Sequence, residues 1–221
     1  MRVVLFAVTG FGNRILDALI KENCQVVYLF TRPGREPSPY YPGAENLIIQ
    51  AEKKGIAVQA DYNWGEIKKK IEAVRPELLL VATYQKIIPL EIINSVPLAV
   101  NLHPSLLPKY RGGTPIDWAL FNEEKETGVT AHLLAEEADQ GAILIQNKIE
   151  IDPLDNKETL TSKLIDLYVE TVKELIKRIK ENSLKFEPQD EKQATYFPRF
   201  NETSQEEKIK FKFKNNDKIR D

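Results

Sequence analysis

Residues 2–31 read RVVLFAVTGFGNRILDALIKENCQVVYLFT, and the order of residue types in this stretch decides the fold class. RVVLFAV (2–8) is an unbroken β-branched and aromatic run that ends at Gly10 and Gly12, the pattern of a strand covered on both faces in a parallel sheet. NRILDALIKEN then sets Ile15, Leu16, Leu19 and Ile20 at helical spacing, and QVVYLFT (25–31) returns to strand character. Strand, helix, strand is the unit from which α/β sheets are built.

The alternation continues outward from this unit. RPGREPSPYYPGAE (32–45) is a loop by its prolines and glycines, followed by a helix over 46–54 and a short strand over 56–60. WGEIKKKIEAV (64–74) places Trp64, Ile67, Ile71 and Val74 among lysines as a second amphipathic helix. ELLLVAT (77–83) is a buried strand, LEIINSV (90–96) a short helix and LAVNLH (98–103) the next strand. Beyond it the pattern predicts a helix in TPIDWALFNE (114–123) and an antiparallel pair, GVTAHLLA (128–135) and AILIQNKIEI (142–151), joined by EEADQG (136–141). A long amphipathic helix over 157–181 closes the pattern. The expected architecture is an α/β domain over 1–182, an open and mainly parallel twisted sheet flanked by helices, with a C-terminal extension over 183–221. The run from Gln205, QEEKIKFKFKNNDKIRD, reads either as a last exposed strand or as a disordered tail.

The 221 residues carry 31 Lys+Arg against 33 Asp+Glu, a formal charge of -2, which disfavours generic binding of polyanions. Cys24 is the single cysteine, so an internal disulfide is excluded and no zinc-like spacing exists. The apolar run at the N-terminus is too short to span a membrane and lacks a signal-peptide cleavage region. These features together predict a cytoplasmic protein with no membrane partner and no metal; a homodimer stays open.

In open α/β sheets ligands gather at the carboxyl ends of the strands, and three segments fall there. TGFGNR (9–14) sits where a dinucleotide fold would place its phosphate loop, but Ile15 occupies the third glycine position and Thr31 and Arg32 stand where a ribose-binding acid belongs, so a nicotinamide cofactor is not expected. Two readings of Gly10, Gly12 and Asn13 remain: a turn that needs residues without a Cβ, or a helix N-terminus whose amides meet an anionic group of the substrate. Asn101 and His103 close the fifth predicted strand; at i and i+2 they project to the same side and reach one reacting centre. His132 lies inside a strand and is read as structural, and of Glu136, Glu137 and Asp139 only one need act.

Taken together, NLHPSLLPKYRGGTPIDWAL (101–120) and TGVTAHLLAEEADQGAILIQ (127–146) resemble the two signature blocks of the folate-dependent formyltransferases. LLLVATYQKIIP (78–89) and QATYFPRF (193–200) extend the likeness over most of the chain. The resemblance implies a Rossmann-like formyltransferase fold and transfer of a formyl group from N10-formyltetrahydrofolate, used as co-substrate, to a primary amine. It makes Asn101, His103 and Asp139 the catalytic triad. A tetrahedral oxyanion needs placed donors, which Asn101 and His103 supply, and the attacking ammonium must lose a proton, which His103 and Asp139 would take. By the same likeness the pterin pocket involves Thr83, Tyr84, Gln85, Lys86, Ile87, Glu137 and Ala138.

Three acceptors occur in the family: a nucleotide-linked aminosugar, methionyl-tRNA and glycinamide ribonucleotide. The tRNA enzymes look longer and carry a basic loop after the second strand, whereas the loop 32–43 here holds only two arginines. YYPG (40–43) and AEEADQGAILIQ look most like the sugar-nucleotide enzymes, although His-Pro at 103–104 is common in the tRNA branch. The expectation is therefore a nucleotide sugar, with tRNA second and the ribonucleotide third. Its pyrophosphate would lie near Gly10, Gly12, Asn13 and Arg111, and its base against Tyr40 and Tyr41; the alternative for Arg111 is a surface or helix-capping role. The alternative from another class is a module that binds folate or a nucleotide without turnover.

Overall fold

The computed structural model describes residues 1–34 and 43–209. Tyr40, Tyr41 and the tail beyond 209 lie outside the described residues, and Gln205 to Ile209 form a helical turn rather than a strand. The elements are β1 (Arg2–Ala7), α1 (Phe11–Lys21), β2 (Gln25–Phe30), α2 (Leu47–Lys53), β3 (Val58–Gln59), α3 (Trp64–Val74), β4 (Leu78–Ala82), α4 (Leu90–Ile93) and β5 (Leu98–His103). They continue through β6 (Arg111–Gly112), α5 (Pro115–Phe121), β7 (Glu126–Leu133), β8 (Ile143–Glu150), α6 (Lys157–Lys180) and β9 (Tyr196–Phe197). The predicted alternation is thus present. The third strand is shorter than 56–60 because the Ile56 N–H is taken by the Ala51 carbonyl at the end of α2.

Seven strands form one sheet in the order β3-β2-β1-β4-β5-β7-β8. The first five are parallel, and β5 to β7 and β7 to β8 are antiparallel. Strand order reverses beside β1, between the chain leaving for β2 and the chain returning at β4, which opens a crevice at their carboxyl ends.

Two-sided burial follows from the alternation of side chains along each strand. Val3, Leu5 and Ala7 of β1 join Leu78, Leu80 and Ala82 of β4 under α1, α2 and α6, while Val4, Phe6, Leu79 and Val81 face Ile67, Ile71 and Ile92 of α3 and α4. Burying a side chain such as Leu16 or Ile67 is worth roughly 1.5–3 kcal/mol. Asn46, Asn63 and Asn156 cap α2, α3 and α6 by accepting amide hydrogens of the first turn.

The segment after α6 returns across the domain. Ile143 and Glu187 exchange both backbone hydrogen bonds, and β9 pairs in parallel with β6. Phe197 stacks on Tyr110 and packs on Trp118, whose indole N–H donates to the Pro198 carbonyl at 2.7 Å. Gly112, at φ 98, lets these strands close: an added Cβ would lie 2.3 Å from the Phe197 carbonyl oxygen.

Candidate active site

Asn101 and His103 do share one side of β5, and the turn between β7 and β8 brings Asp139 to them. Asp139 Oδ1 accepts from Asn101 Nδ2 at 3.3 Å and lies 3.4 Å from His103 Nδ1, while Oδ2 accepts the Gly112 N–H at 3.0 Å. Asp139 is held at φ 60, a left-handed conformation that costs a residue with a side chain roughly 1–2 kcal/mol. The turn bearing it is closed at its base by the Leu133 N–H on the Ala142 carbonyl. Gly141 passes so near Leu133 that a Cβ would sit 1.9 Å from its carbonyl oxygen.

His132, read from sequence as structural, stands against this cluster and contacts Asn101. In the antiparallel register of β5 and β7 it stands opposite Asn101, and Asn101 Nδ2 lies 3.0 Å from His132 Nε2. A register shift in the β7–β8 ladder falls between Ala131 and His132, the kind of irregularity that re-aims a side chain near a site. Thr130 and His132 are spaced i, i+2 on one face of β7, but the sequence carries no sign of the pairing with β5 that brings that face to Asn101 and His103.

Hydrogen-bond partners assign the tautomers. His103 Nε2 faces the Tyr110 carbonyl at 2.8 Å and His132 Nδ1 faces the Leu133 carbonyl at 2.8 Å, so both nitrogens carry hydrogen. His132 Nε2 is then the acceptor that fixes the Asn101 amide, and His103 Nδ1 is a lone pair turned toward a carboxylate. Burial of His103, 5% exposed, pushes its pKa below the ordinary value, and the Asp139 carboxylate only partly opposes this. Burial alone would raise the Asp139 pKa; His103, His132 and the Gly112 N–H outweigh it and hold the carboxyl well below the usual range. Both directions favour a neutral imidazole beside an ionised carboxylate, their facing atoms 3.4 Å apart.

The triad lies in the floor of a cleft of about 1460 Å³. Thr83, Tyr84, Gln85, Lys86 and Ile87 line the cleft, with Thr83 at φ 56 following β4 and Ile87 80% exposed. Glu137 and Ala138 line it as well. Val81, Ile88, Ile93 and Leu134 add apolar side chains to the same lining. Among the described residues no group of His, Cys, Asp or Glu could hold a metal ion, and no helix is long and apolar enough to cross a membrane.

Of the four residues expected to meet acceptor phosphates, Gly10 and Asn13 line the cleft and Gly12 and Arg111 do not. Gly12 does not line the cleft: a Cβ there would lie 2.6 Å from Leu47 Cδ2 and 2.9 Å from Ala7 Cβ, so its role is close packing of α1. Gly10 and Asn13 line the cleft, but the Gly10 N–H donates to Asn13 Oδ1 at 2.8 Å. Asn13 Nδ2 donates to the Glu45 carbonyl and to Gln50 Oε1. Arg111 is a correction to both readings of it. It is 5% exposed and its guanidinium donates to Gln189 Oε1 at 3.1 and 2.8 Å and, as a fork, to Glu191 at 2.9 and 2.6 Å, leaving it neither at the surface nor on the cleft wall.

Comparison with known proteins places these features in context. Residues 1–176 match the formyl transferase family. The chain is 36% identical to the methionyl-tRNA formyltransferase of Caldanaerobacter subterraneus subsp. tengcongensis over 203 residues, 90% of this chain and 66% of that protein. It is 38% identical to the methionyl-tRNA formyltransferase of Dictyoglomus thermophilum over 221 residues, 95% of this chain and 68% of that protein. The chain therefore spans about two thirds of the length of these relatives. Among solved structures, WlaRD, a sugar 3N-formyl transferase, superposes with a TM-score of 0.72 at 20% identity over 91% of this chain and 70% of its own, a likeness of fold.

Proposed function

We propose that this chain, which belongs to the formyl transferase family, moves a formyl group from N10-formyltetrahydrofolate to a primary amine. The observation that carries the reading is the convergence of Asn101 and His103 on Asp139 Oδ1, at 3.3 and 3.4 Å, in the floor of the cleft. The cleft lining supplied by residues 83–87, by Glu137 and Ala138, and by the apolar side chains of Val81, Ile88, Ile93 and Leu134 supports a pocket for the flat pterin ring. Bound there, the folate supplies an electrophilic formyl carbon on a nitrogen leaving group.

The remaining chemistry belongs to the chain. His103 Nδ1 is the site for the proton given up by the attacking amine, the ionised Asp139 balances the imidazolium that results, and the same Nδ1–H is the donor for the departing N10 nitrogen, which returns His103 to its neutral state. One Asn101 N–H is engaged by His132, and the other makes only a long contact with Asp139; a developing oxyanion would draw off that second donor. Such contacts are commonly long before substrate binds and tighten in the reacting complex.

The methionyl-tRNA amino group is the acceptor favoured here, supported by relatives at 36% and 38% identity that are methionyl-tRNA formyltransferases. This reverses the order expected from sequence, because the donors there assigned to a pyrophosphate (Arg111, Gly10 and Asn13) are engaged within the protein. A nucleotide-linked aminosugar is the second reading, favoured by Arg32 in the cleft lining; Arg14 also lines the cleft, but its guanidinium pairs with Asp166 at 2.9 Å. The test is release of tetrahydrofolate from N10-formyltetrahydrofolate with methionyl-tRNA, nucleotide-linked aminosugars and glycinamide ribonucleotide in parallel. Turnover with methionyl-tRNA supports the first reading and turnover with an aminosugar alone the second. Folate binding with no turnover on any acceptor would leave a binding module and overturn both.

A further inference from the structure

We propose that Gln189 is a positioning residue for the Asp139 carboxylate, a role that rests on the formyl-transfer reading of the site. Gln189 lies outside the stretch that matches the formyl transferase family, in the segment that returns after α6. Its Nε2 donates to the carbonyls of Asp139 and Gly141, each at 2.8 Å. Its Oε1 accepts twice from Arg111, whose guanidinium is locked in turn by Glu191. The amide thus has one end on a buried cation and the other on the turn that carries the catalytic carboxylate.

The geometry gives this contact a specific task. Asp139 sits in a left-handed conformation, so its turn needs outside restraint to persist. That restraint comes from one dipeptide acting twice. The Gly112 N–H holds Asp139 Oδ2 at 3.0 Å, and Arg111, the residue before it, orients Gln189, which holds the Asp139 backbone carbonyl. Side chain and main chain of Asp139 are therefore referenced to the same short strand. Without Gln189 the turn keeps its side-chain contact but loses its main-chain anchor, and Oδ1 is free to drift from His103 Nδ1.

Gln189→Glu separates positioning from general stability. The glutamate retains an acceptor for Arg111 but cannot donate to the two carbonyls and sets a negative charge against them. In the full chain, Gln189→Glu should lower kcat for formyl transfer by about tenfold or more, since small misplacement of a reacting group is that costly. The fall in kcat should exceed any rise in the KM for N10-formyltetrahydrofolate, whose pocket the same turn borders, and Tm should fall less than in Gln189→Ala because the Arg111 partner is kept, as expected of a defect mainly in the reacting geometry. Gln189→Ala should lower kcat similarly and lower Tm as well, because Arg111 then loses a partner. Amide hydrogen exchange across 136–142 should rise in both variants while that of β5 is unchanged. Wild-type kcat in Gln189→Glu, a Tm loss in it equal to that of Gln189→Ala, or unaltered exchange across the turn would each overturn the proposal. If the wild-type chain formylated no acceptor, the functional reading would fail, and the exchange measurement would still decide whether Gln189 restrains the turn.

Discussion

Asn101 and His132 face one another across the antiparallel register of β5 and β7, with Asn101 Nδ2 3.0 Å from His132 Nε2. In the proposed mechanism Asn101 presents one N–H to the developing oxyanion, and this pairing fixes the amide through the other. His132, itself 1% exposed, is pinned by the Leu133 carbonyl, so the orientation of Asn101 is set from inside the sheet.

This relationship predicts the effect of His132. Replacing it by phenylalanine keeps an aromatic ring in the core but removes the acceptor, and one hydrogen bond of this kind contributes roughly 0.5–1.5 kcal/mol. His132→Phe should therefore lose about two- to twelvefold in kcat, by the conversion of 1.36 kcal/mol per decade. Steady-state formyl transfer measures it, and an unchanged kcat would mean that Asn101 is oriented by other contacts.

The triad itself should be far less tolerant. Asn101→Ala, His103→Ala and Asp139→Ala should each reduce turnover on the order of a hundredfold or more, the usual consequence of removing a placed donor or base. Circular dichroism should remain that of the wild type for Asn101→Ala, whose side chain is only partly buried. Near wild-type turnover in any one of the three would remove that residue from the proposed mechanism.

How much of this was legible in the chain depends on the range of the interaction. The run 2–31 and the alternation after it specify the parallel sheet because strand and helix periods are local properties. Asn101 and His103 could be paired because two residues on one strand share a face. Asp139 entered only through its likeness to a family motif, since nothing local tells one acid of EEADQG from the others. The roles of His132, Arg111 and Gln189 were not legible. Each depends on a contact between distant segments, 31 residues apart for Asn101 with His132 and 78 for Arg111 with Gln189, and no single-sequence periodicity encodes such a pairing. Gly12 shows the opposite case: the need for a residue without a Cβ was readable, and its cause, the approach of Leu47 and Ala7, is a packing contact.

Gly12 yields a prediction that separates packing from binding. An added methyl would lie 2.6 Å from Leu47 Cδ2 and 2.9 Å from Ala7 Cβ, so either the helix or Leu47 must shift. Gly12→Ala should destabilise the fold by about 1–3 kcal/mol, the typical cost of overpacking. Chemical denaturation reports the loss. The KM for the acceptor should hold, because Gly12 does not line the cleft; a raised KM at unchanged stability would restore a binding role.

The last prediction concerns pH. His103 has a folded pKa below its ordinary value, chiefly because burial disfavours the imidazolium. Between the folded pKa and about 6.5 the unfolded chain binds a proton at this position that the folded chain does not, so folding stability is complete above that window and falls as pH drops through it. Asp139 acts lower: its carboxyl is held below the ordinary range, so its contribution is present above about 3.9 and is lost only as pH falls through the folded value. The same imidazole must be neutral to accept the proton of the amine. Turnover should therefore hold steady from pH 7 down to the depressed pKa of His103 and fall below it, an acid limb displaced to lower pH than that of a free histidine. Asp139→Asn removes the charge that opposes the depression, so its residual activity should show the limb at still lower pH. His103→Gln should abolish both the limb and the His103 share of the stability loss between pH 7 and pH 5. A limb at or above about 6.5 in the wild type would mean that the carboxylate, and not burial, governs His103.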